Sequence, residues 1–131
     1  MRLAVVGVAM LAITGMVGGA YAQQRGAPRT ILQRADSAVP GYEVVAAGAE
    51  FQPGATTGWH THPGEMVGYV LEGILVVEQE GRLATTLEAG KTFIIPAGIV
   101  HNDTNTGRTV ARMLATYVVE KGKPLNSQIV R

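Results

Sequence analysis

The sequence predicts an all-β domain that wraps on itself as a jelly roll or small barrel, and three observations predict it. The chain has 131 residues, of which 47% are hydrophobic and 16% charged, as suits one small globular domain and not a disordered chain. Its 17 glycines and 6 prolines separate short runs rich in Val, Ile, Leu and Thr, at the spacing of about 8 to 12 residues typical of sandwiches and barrels. No window has the periodicity of a convincing helix.

The predicted strands follow one another from residue 31 onward. Each is a β-branched or aliphatic run bounded by Gly, Pro or Asn. Glu80-Gly81 predicts a tight hairpin, since glycine adopts the positive φ that such a turn needs, and Glu72-Gly73 predicts a bend. Nine short strands cannot bury a core as separate hairpins, so the sheet they form is expected to wrap around the core. The strands are expected at residues 31–34, 42–51, 58–62, 66–71, 74–79, 83–87, 92–95, 100–104 and 109–119.

The first 22 residues have the pattern of a secretory signal peptide. Met1-Arg2 is a short positive start, residues 3–17 are apolar and uncharged, and Ala20-Tyr21-Ala22 is a small-x-small cleavage site. The apolar run is shorter than the roughly 20 residues of a membrane span, and Gly18-Gly19 interrupts it. Because no twin-arginine pair is present, the general secretory route to a bacterial periplasm or the exterior is predicted.

The remaining chain is expected to hold a flexible polar lead-in at residues 23–30 and one barrel domain at residues 31–131. Without residues 1–22 it has ten basic and ten acidic side chains, with no basic cluster among aromatic residues. The pattern therefore excludes nucleic acid and, after signal cleavage, the membrane as partners. The absence of cysteine excludes disulfides, thiolate metal sites and thiol nucleophiles, so any chemistry uses histidine, carboxylate, hydroxyl or backbone groups.

The three histidines have the spacing of metal ligands. His60 and His62 are two residues apart in a predicted strand, so both imidazoles point to the same face and can converge on one ion. His101 follows Pro96 and Gly98, which would fix the backbone at a turn that enters the next strand. All three are therefore candidate ligands of one metal ion.

These residues resemble the two motifs of the cupin superfamily, G-x5-H-x-H-x3,4-E-x6-G and G-x5-P-x-G-x2-H-x3-N. The second motif is matched in full by Gly90, Pro96, Gly98, His101 and Asn105, and the first by Gly54, His60, His62 and Gly73. The flanking sequence further resembles small single-domain bacterial cupins. The resemblance implies a single cupin β-barrel, the double-stranded β-helix or jelly roll, and a homodimer that pairs through sheet edges.

One position departs from the family pattern. Met66 occupies the place of the family's metal-binding glutamate, and Glu65 lies one residue earlier. Strand alternation would turn Glu65 away from the site, but the turn at Pro63-Gly64 can break the alternation. Three alternatives follow: a site of three histidines alone, a site completed by Glu65, and a site completed by the soft thioether of Met66, which would favour copper.

The cofactor expected is one divalent transition metal, Fe(II) first, with Mn, Ni and Cu as alternatives. Three neutral imidazoles leave the ion its full charge and several open positions, so a small substrate that chelates through a carboxylate, enolate or phenolate is expected. The resemblance implies an oxygenase of the dioxygenase type, with Glu65 as the candidate base. Trp59 and Tyr69 are candidates for the pocket wall.

A non-catalytic periplasmic module that binds a metal or small ligand is the alternative function. The motif region has few acid or base residues, which suits binding without turnover. The direction of the Glu65 side chain separates the two functions. An inward carboxylate favours a catalytic role, and an outward one leaves the metal as the reactive centre.

Overall fold

A computed structural model describes residues 26–130 and shows only β-strands, turns and bends in this range. The strands are β1 (Arg29–Asp36), β2 (Tyr42–Phe51), β3 (His60–Thr61), β4 (Glu65–Glu72), β5 (Ile74–Gln79), β6 (Thr85–Glu88), β7 (Thr92–Ile95), β8 (His101–Thr104), β9 (Ala111–Glu120) and β10 (Ser127–Gln128). The predicted all-β class is thereby confirmed. Within this range there is no helix that could span a membrane.

The strands form two five-stranded antiparallel sheets. The first has the order β1-β2-β9-β4-β7 and the second the order β10-β3-β8-β5-β6. Strands β4 and β9 of the first sheet alternate: in β9 every second side chain from Ala111 to Val119 is buried. The inward side chains of both sheets form one apolar core, in which Phe51, Leu75 and Ile95 are fully buried.

Most predicted strands are present at or near their expected bounds, and three differences have physical causes. The turn at Glu80-Gly81 exists, with Arg82 N donating to the Gln79 carbonyl at 3.0 Å and Gly81 at a φ of 77°. The hairpin is wider than predicted, however, because the β5–β6 pairing ends at Val77 and Thr85 while β5 continues along β8. The strand expected at 58–62 is reduced to β3, and β10 was not predicted because its two residues carry no apolar pattern.

The described chain begins inside the predicted lead-in. Strand β1 starts at Arg29, two residues before the expected domain boundary, and Glu50 N donates to the Pro28 carbonyl at 3.2 Å. Residues 29 and 30 are therefore part of the first sheet. The signal peptide predicted at residues 1–22 lies outside the described residues.

Candidate metal centre

The three histidines come together inside the barrel. His60 pairs directly with His101 across β3 and β8, and His62 follows two residues after His60 on the same face. The ring centroids are 4.1 Å apart for His60 and His101 and 4.8 Å apart for each of the other two pairs. One ring nitrogen from each residue lies within 4.8 Å of the other two, and all three side chains are buried.

The turn before β8 sets the position of His101. Pro96 opens the turn, its carbonyl accepts from Ile99 N at 3.2 Å, and Gly98 takes a φ of 73° that favours glycine. Gly98 N also donates to the His62 carbonyl at 2.9 Å. This bond ties the second motif of the sequence to the first, as does the bond from Gly54 N to the Asn105 carbonyl at 2.9 Å.

Each imidazole is oriented by a backbone carbonyl. The Nδ1 atoms lie 2.7 Å from the carbonyl oxygen of Gly58 for His60, 2.7 Å from that of Leu125 for His62, and 3.0 Å from that of Ile99 for His101. Because a carbonyl only accepts, each Nδ1 carries the proton and each Nε2 keeps its lone pair. The Nε2 atoms of His62 and His101 are buried and have no partner. This donor set fits a metal ion, whose ligand histidines usually donate their other nitrogen to such an acceptor.

Burial keeps the imidazoles neutral. Desolvation lowers the pKa of His62 to about 3 and that of His101 to about 4, and it also lowers the pKa of His60. The carbonyl hydrogen bonds oppose this shift, and the positive charge of Arg29 adds to it at His60 and His62. Near pH 7 all three residues are therefore in the form that binds metal.

The strand register turns the Met66 side chain to the inside of the barrel and the Glu65 side chain to the outside. Met66 pairs with Tyr117 on the inner face and is 1% exposed, whereas Glu65 pairs with Val118 on the outer face and is exposed. Gly64 enforces this register, since a Cβ atom there would collide with the backbone of Val118. The alternation predicted for the strand therefore persists through the Pro63-Gly64 turn. The structure does not bring Glu65 to the imidazoles as ligand or base.

A cavity of about 150 Å³ is lined by two of the three histidines, His60 and His62. It is lined by Ala27, Arg29, Ala49, Thr57, His60, His62, Met66, Asp103, Met113, Tyr117, Asn126 and Gln128. Trp59 and Tyr69, the predicted wall residues, are not among them. Tyr69 is 40% exposed on the outer face of β4, for the same reason of alternation that turns Glu65 outward. Trp59 is half-buried and alternates with His60.

Asp103 is an acidic group in the cavity that the sequence analysis missed. It lies two residues after His101 on the inner face of β8 and is 1% exposed, and its Oδ1 has no partner. Its backbone is held by Thr57, whose Oγ1 accepts from Asp103 N at 2.9 Å. Burial raises the pKa of the Asp103 carboxyl to about 7. The alternation used for His60 and His62 would have predicted its direction from His101.

Arg29 and Tyr117 are further cavity residues that the sequence analysis did not assign to the site. The Tyr117 ring is buried, with its centroid 4.9 Å from that of His62, and desolvation raises the pKa of its hydroxyl. Arg29 reaches from β1, with its Cζ 5.6 Å from the Tyr117 centroid and its Nη1 3.4 Å from the Tyr117 hydroxyl. Its Nη2 donates to Asn126 Oδ1 at 2.9 Å. These three residues come from distant parts of the chain, so no local pattern indicates them.

Asn105, the last residue of the second motif, has a structural role. It is fully buried, and its Nδ2 donates to the carbonyls of Phe51 at 3.0 Å and Thr109 at 2.8 Å. Its Oδ1 accepts from Gly107 N at 2.9 Å. The side chain thus satisfies the backbone of the loop after β8 and is not part of the cavity lining.

Comparison with known proteins places this geometry in a family context. Residues 49–117, which contain all three histidines, match the family model described as the cupin domain. Germin-like protein 3-5 from Oryza sativa subsp. japonica is 40% identical over 76 residues, and oxalate oxidase 2 from Hordeum vulgare is 36% identical over 76 residues. Each match covers 52% of this chain and 34% of the relative. The chain therefore matches about a third of the length of these relatives.

Solved structures show the same architecture. An oxalate oxidase bound to the substrate analogue glycolate superimposes with a TM-score of 0.66 at 28% identity, over 82% of this chain and 57% of that chain. A Klebsiella pneumoniae protein with a double-stranded β-helix domain also has a TM-score of 0.66, at 20% identity, over 81% of this chain and 86% of that chain. The predicted double-stranded β-helix is thus confirmed.

Proposed function

This chain belongs to the cupin domain family, and from that premise we propose that it binds one divalent transition metal and oxidises a small chelating acid with dioxygen. The ligands would be the Nε2 atoms of His60, His62 and His101. The observation that carries the proposal is the pair of buried, unpartnered Nε2 atoms on His62 and His101, which belong to one cluster with His60. An apolar core gains nothing from such atoms, because an unpaired buried nitrogen costs about 1 to 3 kcal/mol.

The donor set favours Fe(II), with Mn, Ni and Cu as alternatives. Imidazole nitrogen suits iron, nickel and copper, and Met66 adds a soft thioether to the same cavity. The bound ion would act as a Lewis acid on the substrate and would exchange electrons with dioxygen. The three neutral imidazoles leave its charge uncompensated, so an anionic substrate is favoured over a neutral one.

The relatives support a carboxylate substrate. Two of them are named for the oxidation of oxalate, and one solved relative holds the hydroxy acid glycolate. Oxalate dianion, dioxygen and two protons yield two carbon dioxide and one hydrogen peroxide, in which dioxygen takes both electrons released by the breaking carbon–carbon bond. A dioxygenase would instead place both oxygen atoms in its product. Asp103 and Tyr117 also line the cavity and are the residues that we propose to exchange protons with the substrate or with reduced oxygen.

Metal content and oxygen consumption test the proposal together. Protein purified without a histidine tag is reconstituted anaerobically with Fe(II) or Mn(II), beside a His60→Ala, His101→Ala double variant. We expect one ion per wild-type chain, none in the variant, and oxygen uptake with small carboxylic acids in the wild type alone. Hydrogen peroxide formation then separates an oxidase from a dioxygenase. A wild-type chain without stoichiometric metal would overturn the proposal.

The alternative is a binding module that holds the metal or a small ligand without turnover. The outward direction of Glu65 favours it, because the predicted base is absent from the cavity. The presence of Asp103 in the cavity favours the enzyme. Stoichiometric metal and tight carboxylate binding without oxygen uptake would establish the module.

We also propose that residues 1–22 direct export to a bacterial periplasm or the exterior and are then removed. The basis is the sequence pattern alone. Expression of the full chain in a bacterium and N-terminal sequencing of the exported protein should give Gln23 as the first residue. The homodimer that pairs through sheet edges stays a prediction. Light scattering of the exported protein tests it by measuring the molar mass.

A further inference from the structure

We propose that Arg29 binds a second carboxylate of the substrate, so that the site selects small dicarboxylates over monocarboxylates. The inference rests on the proposed function, because the first carboxylate would chelate the metal. It names the substrate class that the metal site alone leaves open. It also assigns a role to a residue in β1, outside both sequence motifs.

Within residues 26–130, the side-chain contacts of Arg29 include no carboxylate. Its guanidinium donates to the neutral side chains of Asn126 at 2.9 Å and Tyr117 at 3.4 Å. Arg29 is exposed, as are Arg34 and Arg112, but those two form ion pairs: Arg34 with Glu43, and Arg112 with Glu50 and Glu72. A guanidinium has five N–H donors arranged for bidentate carboxylate binding, so two contacts leave donors for a ligand.

The position of Arg29 suits recognition of a ligand that is already bound at the histidines. It lines the same cavity as His60 and His62, and its charge is felt at both imidazoles. The Tyr117 ring is close to both the histidines and Arg29. Its centroid is 4.9 Å from the centroid of the His62 ring and 5.6 Å from the Arg29 Cζ. A ligand extending from the histidines along this ring would reach the guanidinium.

The charges of the cavity match a dianion. A divalent ion held by neutral imidazoles, together with Arg29, gives a formal charge of three positive units. Among the described lining residues, Asp103 is the one acidic side chain, and its ionised form still leaves two positive units. Opposite charges attract, so a ligand with two negative charges is favoured over a monoanion.

The size of the cavity sets the length of the dianion. A protein cavity of about 150 Å³, the volume found here, accommodates benzene. The ligand therefore has about six to eight non-hydrogen atoms. Oxalate, malonate and succinate lie in this range.

Anion titration of Co(II)-loaded protein tests the inference. Calorimetry gives the affinities for oxalate, malonate and acetate, and the visible spectrum of Co(II) reports whether each anion reaches the metal. The variants are Arg29→Gln, Arg29→Lys and, as a matched control on the same strand, Arg34→Gln. Metal stoichiometry of each variant verifies that the barrel is intact.

We expect Arg29→Gln to weaken oxalate and malonate binding by about tenfold or more, while acetate changes by less than about twofold. Arg29→Lys should recover part of the affinity, because it keeps the charge and loses the bidentate geometry. Arg34→Gln should match the wild type. If Arg29→Gln loses its metal, the ratio of oxalate to acetate affinity in Arg29→Lys decides the question.

Two results would overturn the inference and leave the proposed function intact. One is equal affinity of wild type and Arg29→Gln for the dicarboxylates. The other is an equal loss for acetate and oxalate, which would mean that Arg29 only holds Tyr117 and Asn126 in place. A wild-type chain that binds no metal would instead remove the proposed function, and the inference with it.

Discussion

His60 and His101 are direct cross-strand partners, with ring centroids 4.1 Å apart and each Nδ1 bonded to a carbonyl two residues earlier in its own chain segment. Two strands that are 41 residues apart in sequence thus present their imidazoles in the same orientation. The shared pattern leaves both Nε2 atoms free of backbone contacts. The pair is therefore preorganised as two of the three candidate ligands before any ion binds.

Metal binding should stabilise the fold. An ion that binds the folded chain and not the unfolded one adds about 4 kcal/mol at a thousandfold excess over its dissociation constant. For a domain of this size we expect the Tm to rise by at least about 10 °C in calorimetry with Fe(II), Mn(II) or Co(II). The His60→Ala, His101→Ala variant provides the control. An equal rise in that variant would mean that the ion acts elsewhere.

The metal-free protein should lose stability as the pH falls from about 6.5 toward 4. His62 and His101, with pKa values of about 3 and about 4, stay neutral in the folded chain, while the same side chains take up protons in the unfolded chain below about pH 6.5. Because the unfolded state then binds more protons, the free energy of unfolding decreases with acidification. Thermal melts of wild type and a triple His→Gln variant between these pH values measure the effect, and the variant should show a shallower slope. Parallel slopes would contradict it.

Asp103→Asn should stabilise the metal-free protein, and more so at pH 8 than at pH 5. Burial raises the pKa of this carboxyl to about 7, so the folded chain keeps a proton that the unfolded chain releases above about pH 4. The wild type therefore loses stability as the pH rises through this window, and the nearly isosteric amide does not. We expect a Tm gain of about 5 °C or more at pH 8. A gain independent of pH would show that the carboxyl is not the cause.

Met66→Glu should restore the carboxylate of the cupin pattern and raise the affinity for Mn(II) and Fe(II). The side chain points inward beside the histidines, and carboxylate oxygen is a harder ligand than a thioether. Competition with a chelator should show at least about a tenfold gain. Met66→Leu keeps the volume without a donor, and Glu65→Gln changes the outward neighbour; both should leave Mn(II) affinity unchanged. A loss of Mn(II) affinity in Glu65→Gln would place that carboxylate at the metal after all.

Gly64→Ala should destabilise the barrel, because the added methyl group would collide with the Val118 carbonyl. Overpacking against backbone costs about 1 to 3 kcal/mol and would shift β4 relative to β9. Gly48→Ala is the matched control, since its Cβ would meet Leu32 Cδ1 at an ordinary 3.8 Å. Denaturant melts should show a loss for the first and little change for the second. Equal stability of the two variants would contradict this role of Gly64.

The direction of the side chains around Met66 follows from strand alternation. Period-two alternation places Met66 inward and Glu65 outward, and the structure agrees because Gly64 packs on Val118 and leaves no room for a slip. The same rule applied from His101 would have indicated Asp103. Strand alternation also turns Tyr69 outward, on the same face as Glu65, which is why Tyr69 does not line the pocket.

Local sequence patterns predict the all-β class, most strand bounds and the common face of His60 and His62, since strand alternation and turn glycines act over a few residues. The approach of His101 to this pair follows instead from the pairing of β3 with β8. Only the tertiary structure decided which distant side chains complete the cavity. Arg29 meets Tyr117 across 88 residues and Asn126 across 97 residues. Such contacts follow from the order of strands in the two sheets, which depends on the burial of the whole core and leaves no periodic signal in the chain.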